Sequence, residues 1–117
     1  QIKAKIVYSE EWHMVKKLNY KEFDEAIAHG DWILDFYTDH CGPCKMLDAT
    51  MAKVLKDNPI VSLAKCNIED DPEYQERFEV TGTPLVLFYH DGVEKARFSG
   101  AYGEDKIREC LSVCLYD

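Results

Sequence analysis

The apolar run Trp32–Thr38, WILDFYT, constrains the fold of this chain more than any other feature. A strand with one solvated face alternates apolar and polar residues, whereas this run is apolar at almost every position. It therefore predicts a strand covered by other elements on both faces, as in proteins with helices on the two sides of a sheet. Asp35 interrupts the run, and an uncompensated carboxylate in such a strand is costly, so its presence indicates a function.

Strand and helix patterns alternate along the rest of the chain. Helices are predicted after Asn19, after the cysteine pair, from Pro72 and after Gly103. Further strands are predicted at Met14–Leu18, Ile60–Ile68, Pro84–His90 and Val93–Ser99, and Asp91-Gly92 signals a hairpin between the last two. This order predicts an α/β fold, with a central mixed five-stranded sheet flanked by about four helices.

Length and charge limit the classes of function. The 117 residues suit one domain, which we place at residues 14–117 after an N-terminal extension, 1–13, that forms either a short strand or a loose arm. The net charge of −8, from 14 basic and 22 acidic residues, argues against nucleic acid and anionic membranes as partners. No apolar run approaches the roughly 18 residues of a membrane helix.

Two cysteines, Cys41 and Cys44, lie between the buried strand and an amphipathic helix, in the sequence CGPC. This position places Cys41 at a helix N-terminus, where backbone N–H groups lack partners and the helix dipole is positive. Both effects favour a thiolate over a thiol. Cys44 follows one helical turn later, within reach of the Cys41 sulfur, so the pair can exchange with a substrate disulfide.

Two other interpretations of the pair remain open from the residues alone. A zinc site needs four ligands, but the chain has only one CxxC, and its histidines (His13, His29, His40 and His90) show no paired spacing. We therefore predict no metal site. A purely structural disulfide would close a very short loop and add little stability. The other cysteines, Cys66, Cys110 and Cys114, fall on apolar patterns and are interpreted as core residues.

Four segments together resemble the thioredoxin family. They are LDFYTDHCGPCK, AKCNIEDDPE, FEVTGTPLVLFYHDG and FSGAYGEDKIRECL, and they follow the family's order over roughly residues 14–115. The resemblance implies the thioredoxin fold. It implies that Cys41 is the nucleophile, that Cys44 is the resolving thiol, and that Asp35 is a buried carboxylate that exchanges a proton with Cys44. Lys65 would lie close to Asp35 and adjust its acid–base behaviour.

The resemblance also implies a substrate-binding surface around the two sulfurs. Pro84 would be a cis-proline facing them, and Thr83 would offer backbone groups to an extended substrate segment. The remaining members of this surface are His40, Gly42, Pro43 and Gly100.

His40 departs from the family pattern, which usually has tryptophan before CGPC. An imidazole is smaller than an indole and can carry charge near neutral pH. A protonated His40 would favour the Cys41 thiolate and make the protein a better oxidant, whereas the preceding Asp39 would counter that effect. The sequence leaves the net effect open, and an exposed, tolerated side chain is the alternative.

The resulting functional hypothesis is a dithiol–disulfide oxidoreductase that reduces protein disulfides. The chain has no GxGxxG, so no bound cofactor is expected, and electrons would come from a separate reductase of the thioredoxin reductase type. The alternatives are an oxidase or isomerase in an oxidising compartment and a module that only binds clients. We expect a cytoplasmic monomer. Because the chain begins at Gln1, secretion or a periplasmic location after leader removal is the alternative.

Overall fold

The computed structural model describes the backbone of residues 5–9 and 13–116 and the side chains of residues 17–116. The strands in these ranges are β1 (Lys5–Ser9), β2 (His13–Lys17), β3 (Asp31–Tyr37), β4 (Ser62–Asn67), β5 (Leu85–His90) and β6 (Val93–Ser99). The helices are α1 (Phe23–Ile27), α2 (Gly42–Lys56), α3 (Glu73–Arg77) and α4 (Glu104–Tyr116), and a 3-10 helix at Tyr20–Glu22 precedes α1. None of the helices within these ranges is long and apolar enough to cross a membrane.

The strands form one mixed sheet in the order β1-β2-β4-β3-β5-β6. Strands β2, β4 and β3 run parallel, while β5 and β6 pair antiparallel on one side and β1 pairs antiparallel with β2 on the other. The predicted mixed sheet is confirmed, but the predicted number of five strands becomes six in the described part of the chain. The additional strand is β1, whose weak alternation in sequence did not distinguish a strand from an arm; its pairing with β2 does.

Two layers of helices cover the sheet and explain the apolar run in β3. Leu34 and Phe36 point into a cluster with residues of α1 and α3, whereas Ile33 packs with residues of α2 and α4. Because side chains alternate along a strand, Asp35 lies on the same face as Ile33, under α2. Strand β3 is thus buried on both faces, and its buried carboxyl group, that of Asp35, lies in the layer that carries the cysteine pair.

Candidate active site

The cysteine pair occupies the N-terminus of α2. Cys41 is the N-cap residue in an extended conformation, and Gly42 and Pro43 begin the helix. Cys41 and Cys44 are joined by a disulfide with their Cα atoms 5.2 Å apart. The Cys44 backbone N–H also points at the Cys41 sulfur, with 3.2 Å between the two atoms. This N–H belongs to the first helical turn, where it has no partner within the helix, so it can stabilise negative charge on that sulfur.

The two cysteines are both buried, and Cys41 is slightly the more exposed, the order expected for a nucleophile and a resolving thiol. Cys41 is 8% exposed and Cys44 3%. The residues around Cys41, namely His40, Gly42 and Pro43, are exposed and frame its approach from solvent. A substrate therefore reaches Cys41 first.

A second loop, between α3 and β5, closes over Cys41. The Thr83 hydroxyl donates to the Cys41 sulfur at 3.5 Å, and the Thr83 carbonyl oxygen lies 3.7 Å from the same sulfur. The Thr83–Pro84 peptide bond is cis, as predicted. The Gly100 N–H donates to the Pro84 carbonyl at 2.9 Å, and Gly100 has a φ of 106°, a conformation that favours glycine. The Thr83–Pro84 loop thus contacts the Cys41 sulfur and is itself hydrogen-bonded to Gly100.

Asp35 and Lys65 pair directly across the neighbouring strands β3 and β4. The Lys65 ammonium donates to Asp35 Oδ2 at 2.9 Å, and the Asp35 side chain is fully buried. Asp35 Oδ1 has no hydrogen-bond partner among residues 17–116. Burial raises the pKa of Asp35 above its ordinary value of 3.8, although Lys65 acts in the opposite direction. A carboxyl with a raised pKa can exchange protons closer to neutral pH than an exposed one.

Lys65 has a second carboxylate partner that the sequence analysis did not identify. Asp48 Oδ1 accepts a hydrogen bond from the Lys65 ammonium at 2.6 Å, and the ammonium lies 4.5 Å from the centre of the Tyr37 ring. Burial disfavours the charged form of Lys65, but Asp35 and Asp48 outweigh that effect and raise its pKa. Spacing in the sequence places Asp48 on the Cys44 side of one helix, four residues later, but does not give its contact with Lys65.

Asp39, which the sequence analysis considered as a counter-charge to His40, makes two hydrogen bonds at the end of β4. Its carboxylate accepts a hydrogen bond from the buried Asn67 amide at 2.9 Å, and its backbone N–H donates to Glu69 Oε1 at 3.0 Å. These contacts fix Asp39 against the end of β4. The side chain of Asp39 therefore anchors the loop before the cysteines through Asn67.

The other cysteines are buried free thiols, as predicted. Burial raises the pKa of Cys66 and of Cys110, and raises that of Cys114 to about 11, so these thiols are poor nucleophiles near neutral pH. Over the described residues, no group of three or more His, Cys, Asp or Glu side chains could hold a metal ion. The reactive chemistry therefore concentrates at Cys41 and Cys44.

Comparison with known proteins gives a consistent result. The family model described as Thioredoxin matches residues 14–113. The thioredoxin of Chlamydia pneumoniae is 36% identical over 87 residues, which cover 74% of this chain and 85% of that protein. Mitochondrial thioredoxin-3 of Saccharomyces cerevisiae is 33% identical over 89 residues, 75% of this chain and 70% of that protein. The crystal structure of its oxidised form superposes with a TM-score of 0.74 at 30% identity, covering 82% of this chain and 92% of the other.

Proposed function

This chain belongs to the thioredoxin family and is a thiol–disulfide oxidoreductase, and from that premise we propose that it works as a reductase of protein disulfides. The observation that carries the proposal is the Cys41–Cys44 disulfide at the N-terminus of α2, with Cys41, the slightly more exposed cysteine, in contact with Thr83. Gly42 and Pro43 between the cysteines are typical of the reducing members of the family.

The reaction begins with the reduced form of the pair. The Cys41 thiolate attacks one sulfur of a substrate disulfide, forms a mixed disulfide, and releases the other substrate sulfur as a thiolate that takes a proton from solvent. Cys44 then gives up its proton and attacks the Cys41 sulfur. The bond between Cys41 and the substrate breaks, the substrate leaves reduced, and the enzyme is left with the disulfide seen in the structure.

Asp35 is proposed as the proton acceptor for Cys44. It lies on the face of the sheet that α2 covers, it is buried, and one of its oxygens is unpaired among the described residues. Lys65 holds the other oxygen and limits the cost of ionising the carboxyl there. The raised pKa of Asp35 makes its carboxylate a stronger base than an exposed aspartate.

The loop at Thr83 and Pro84 is proposed to bind the substrate as an extended segment. Thr83 touches Cys41 with both its hydroxyl and its carbonyl, so a backbone paired with this loop would bring its own sulfur to Cys41. The exposed His40, Gly42 and Pro43 would form one side of the groove, and Gly100 the other.

The physiological setting is also a proposal. A separate reductase of the thioredoxin reductase type would regenerate the dithiol, and the chain would act as a monomer in the cytoplasm. The redox potential of the pair tests this assignment against that of an oxidase or isomerase. Equilibration with glutathione should give a value near that of thioredoxin, about −270 mV. A value near −120 mV, as in strong oxidants of this fold, would contradict the reductase assignment.

Reduction of insulin tests the catalytic roles. We expect Cys41→Ser to abolish turnover, and Cys44→Ser to accumulate a mixed disulfide that mass spectrometry detects. Cys110→Ala is the matched control, because this buried free thiol lies outside the pair and its loss should leave turnover unchanged. Retention of client binding with no reduction by the wild-type protein would instead indicate a binding module.

A further inference from the structure

Asp48 extends the buried Asp35–Lys65 pair to the protein surface. It lies on α2 four residues after Cys44, so the two side chains lie on one side of the helix. The Lys65 ammonium donates to Asp48 at 2.6 Å and to Asp35 at 2.9 Å. The side chains are 50% exposed at Asp48, 17% at Lys65 and 0% at Asp35. One cation therefore serves two carboxylates, one half in solvent and the other fully buried.

Because Lys65 contacts two carboxylates, it stabilises the charged form of Asp35 less than it would if Asp35 were its one partner. A lysine ammonium has three N–H donors and a single positive charge. Asp48 takes the shorter of its two carboxylate contacts, and the Tyr37 ring lies 4.5 Å away. Asp35 receives one hydrogen bond through Oδ2, while Oδ1 receives none from the described residues. Asp48 thus offsets part of the Lys65 charge that stabilises the Asp35 carboxylate, and so favours the protonated form of Asp35.

We propose that Asp48 is a positioning residue for the resolving step, which it promotes by sharing the Lys65 ammonium and thereby keeping Asp35 a strong enough base to accept the Cys44 proton. This inference rests on the proposed function, in which Asp35 is that base. The proton moves from the Cys44 thiol to the Asp35 carboxylate. The Cys44 sulfur bonds to Cys41, and the substrate thiolate leaves with the electron pair of the broken bond.

The ionisable groups around Asp35 agree with this direction. Burial raises the pKa of Asp35, Lys65 lowers it, and the negative charge of Asp48 raises it. On β4 the other ionisable neighbour is Cys66, a buried thiol that is neutral near pH 7. On β5 the residue paired with Asp35 is Val86, which has no charge. On α2 the cysteine pair is uncharged while it is oxidised. Asp48 is therefore the anion that acts against Lys65.

Carboxyl titration by NMR tests the inference without relying on activity. With 13C-labelled aspartate, we expect Asp48→Asn to lower the titration midpoint of Asp35 by roughly 0.5 to 1 pH unit, and Asp48→Glu to restore most of it. Asp57→Asn is the matched control: Asp57 follows α2 directly and pairs with Arg108 at 2.7 Å. A midpoint that Asp48→Asn leaves unchanged, or that Asp57→Asn lowers equally, would overturn the proposal.

A double-mutant cycle tests whether the effect passes through Lys65. In a Lys65→Met background, Asp48→Asn should move the Asp35 midpoint by less than about a third of its effect in the wild type. If Asp48→Asn moves the Asp35 midpoint as far in this background as in the wild type, Asp48 acts on Asp35 by direct repulsion. That result would overturn the proposal that the two carboxylates share the Lys65 ammonium. If Lys65→Met does not fold, Lys65→Gln provides the background, because it keeps a donor for Asp35.

Kinetics connect the titration to the resolving step. The acidic limb of the pH–rate profile for release of a preformed mixed disulfide should move to lower pH in Asp48→Asn by the same amount as the midpoint. An unchanged acidic limb would overturn the role in resolution. The two levels of proposal fail separately. Absence of insulin reduction by the wild type defeats the proposed reductase function, whereas an unmoved Asp35 midpoint with normal reduction defeats only the role of Asp48.

Discussion

At the scale of single residues, the burial of Asp35 lowers the stability of the fold at higher pH and supplies the base that the proposed function needs. Folding raises its pKa, so the folded chain binds the proton more tightly than the unfolded chain does. The free energy of unfolding must then fall as pH rises from the ordinary carboxyl value of 3.8 through the raised value. We expect Asp35→Asn to remove this slope, so that its stability relative to the wild type increases as pH rises through the raised value, measured by denaturant titration at several pH values.

The substitution keeps the volume of the side chain, and Lys65 keeps Asp48 as a partner, so the fold should persist. The same variant should resolve mixed disulfides more slowly, because Asn cannot accept the Cys44 proton. Asp57→Asn is the control, since Asp57 is an exposed carboxylate at the C-terminal end of α2, the opposite end from the cysteine pair. Equal stability of Asp35→Asn and the wild type at all pH values would contradict this account of burial.

His40 lies where, by the resemblance described above, thioredoxins usually have tryptophan. It is exposed beside Cys41, so it can contact a docked protein. We expect His40→Trp to change the rate of exchange with protein disulfides at least several-fold, since an indole offers a larger apolar surface, and to change the rate with oxidised glutathione less. His29→Trp is the control at another exposed histidine. Unchanged rates together with an unchanged redox potential would remove His40 from the mechanism.

At the scale of elements, the short helix α3 depends on one tyrosine. Tyr74 is fully buried, contacts the rings of Tyr20, Phe23 and Phe36, and donates its hydroxyl to the Leu18 carbonyl at 2.9 Å. Tyr74→Phe keeps the ring and leaves the carbonyl without this donor. We expect a loss of about 1–2 kcal/mol in the free energy of unfolding and an unchanged redox potential.

Tyr116→Phe gives the matched comparison, because Tyr116 is 81% exposed and its hydroxyl can bond to water. A change in the potential of Tyr74→Phe would mean that α3 influences the cysteine pair, contrary to the separation of the two helix layers.

The same scale shows how far the sequence could predict this structure. The apolar run predicted the buried central strand β3, and the cysteine pair before a helical pattern predicted a thiol at the N-terminus of α2. Both predictions were possible because each follows from a local sequence pattern. The contact of Asp48 with Lys65 could not be predicted in this way, since it joins residues 17 positions apart on different elements. The engagement of Asp39 with Asn67 was missed for the same reason, because its partner lies 28 positions away.

At the scale of the whole molecule, the boundary between the extension and the domain remains a prediction that deletion can test. Among the described strands, β1 lies at the edge of the sheet and pairs with β2 alone, while β2 also pairs with β4. The match to the family begins at residue 14. We expect a chain lacking residues 1–12 to fold, to reduce insulin within about twofold of the full chain, and to lose no more than about 2 kcal/mol of stability with the β1–β2 hydrogen bonds.

Deletion also exposes the outer edge of β2, and a free strand edge can pair with another chain. Light scattering should find the full chain monomeric, and any association that appears only after deletion would identify edge protection as the role of β1. The five remaining strands keep both helix layers and every residue of the site, so activity should not depend on the extension. Loss of cooperative unfolding on deletion would contradict a domain that begins at residue 14, because it would make β1 part of the folding unit.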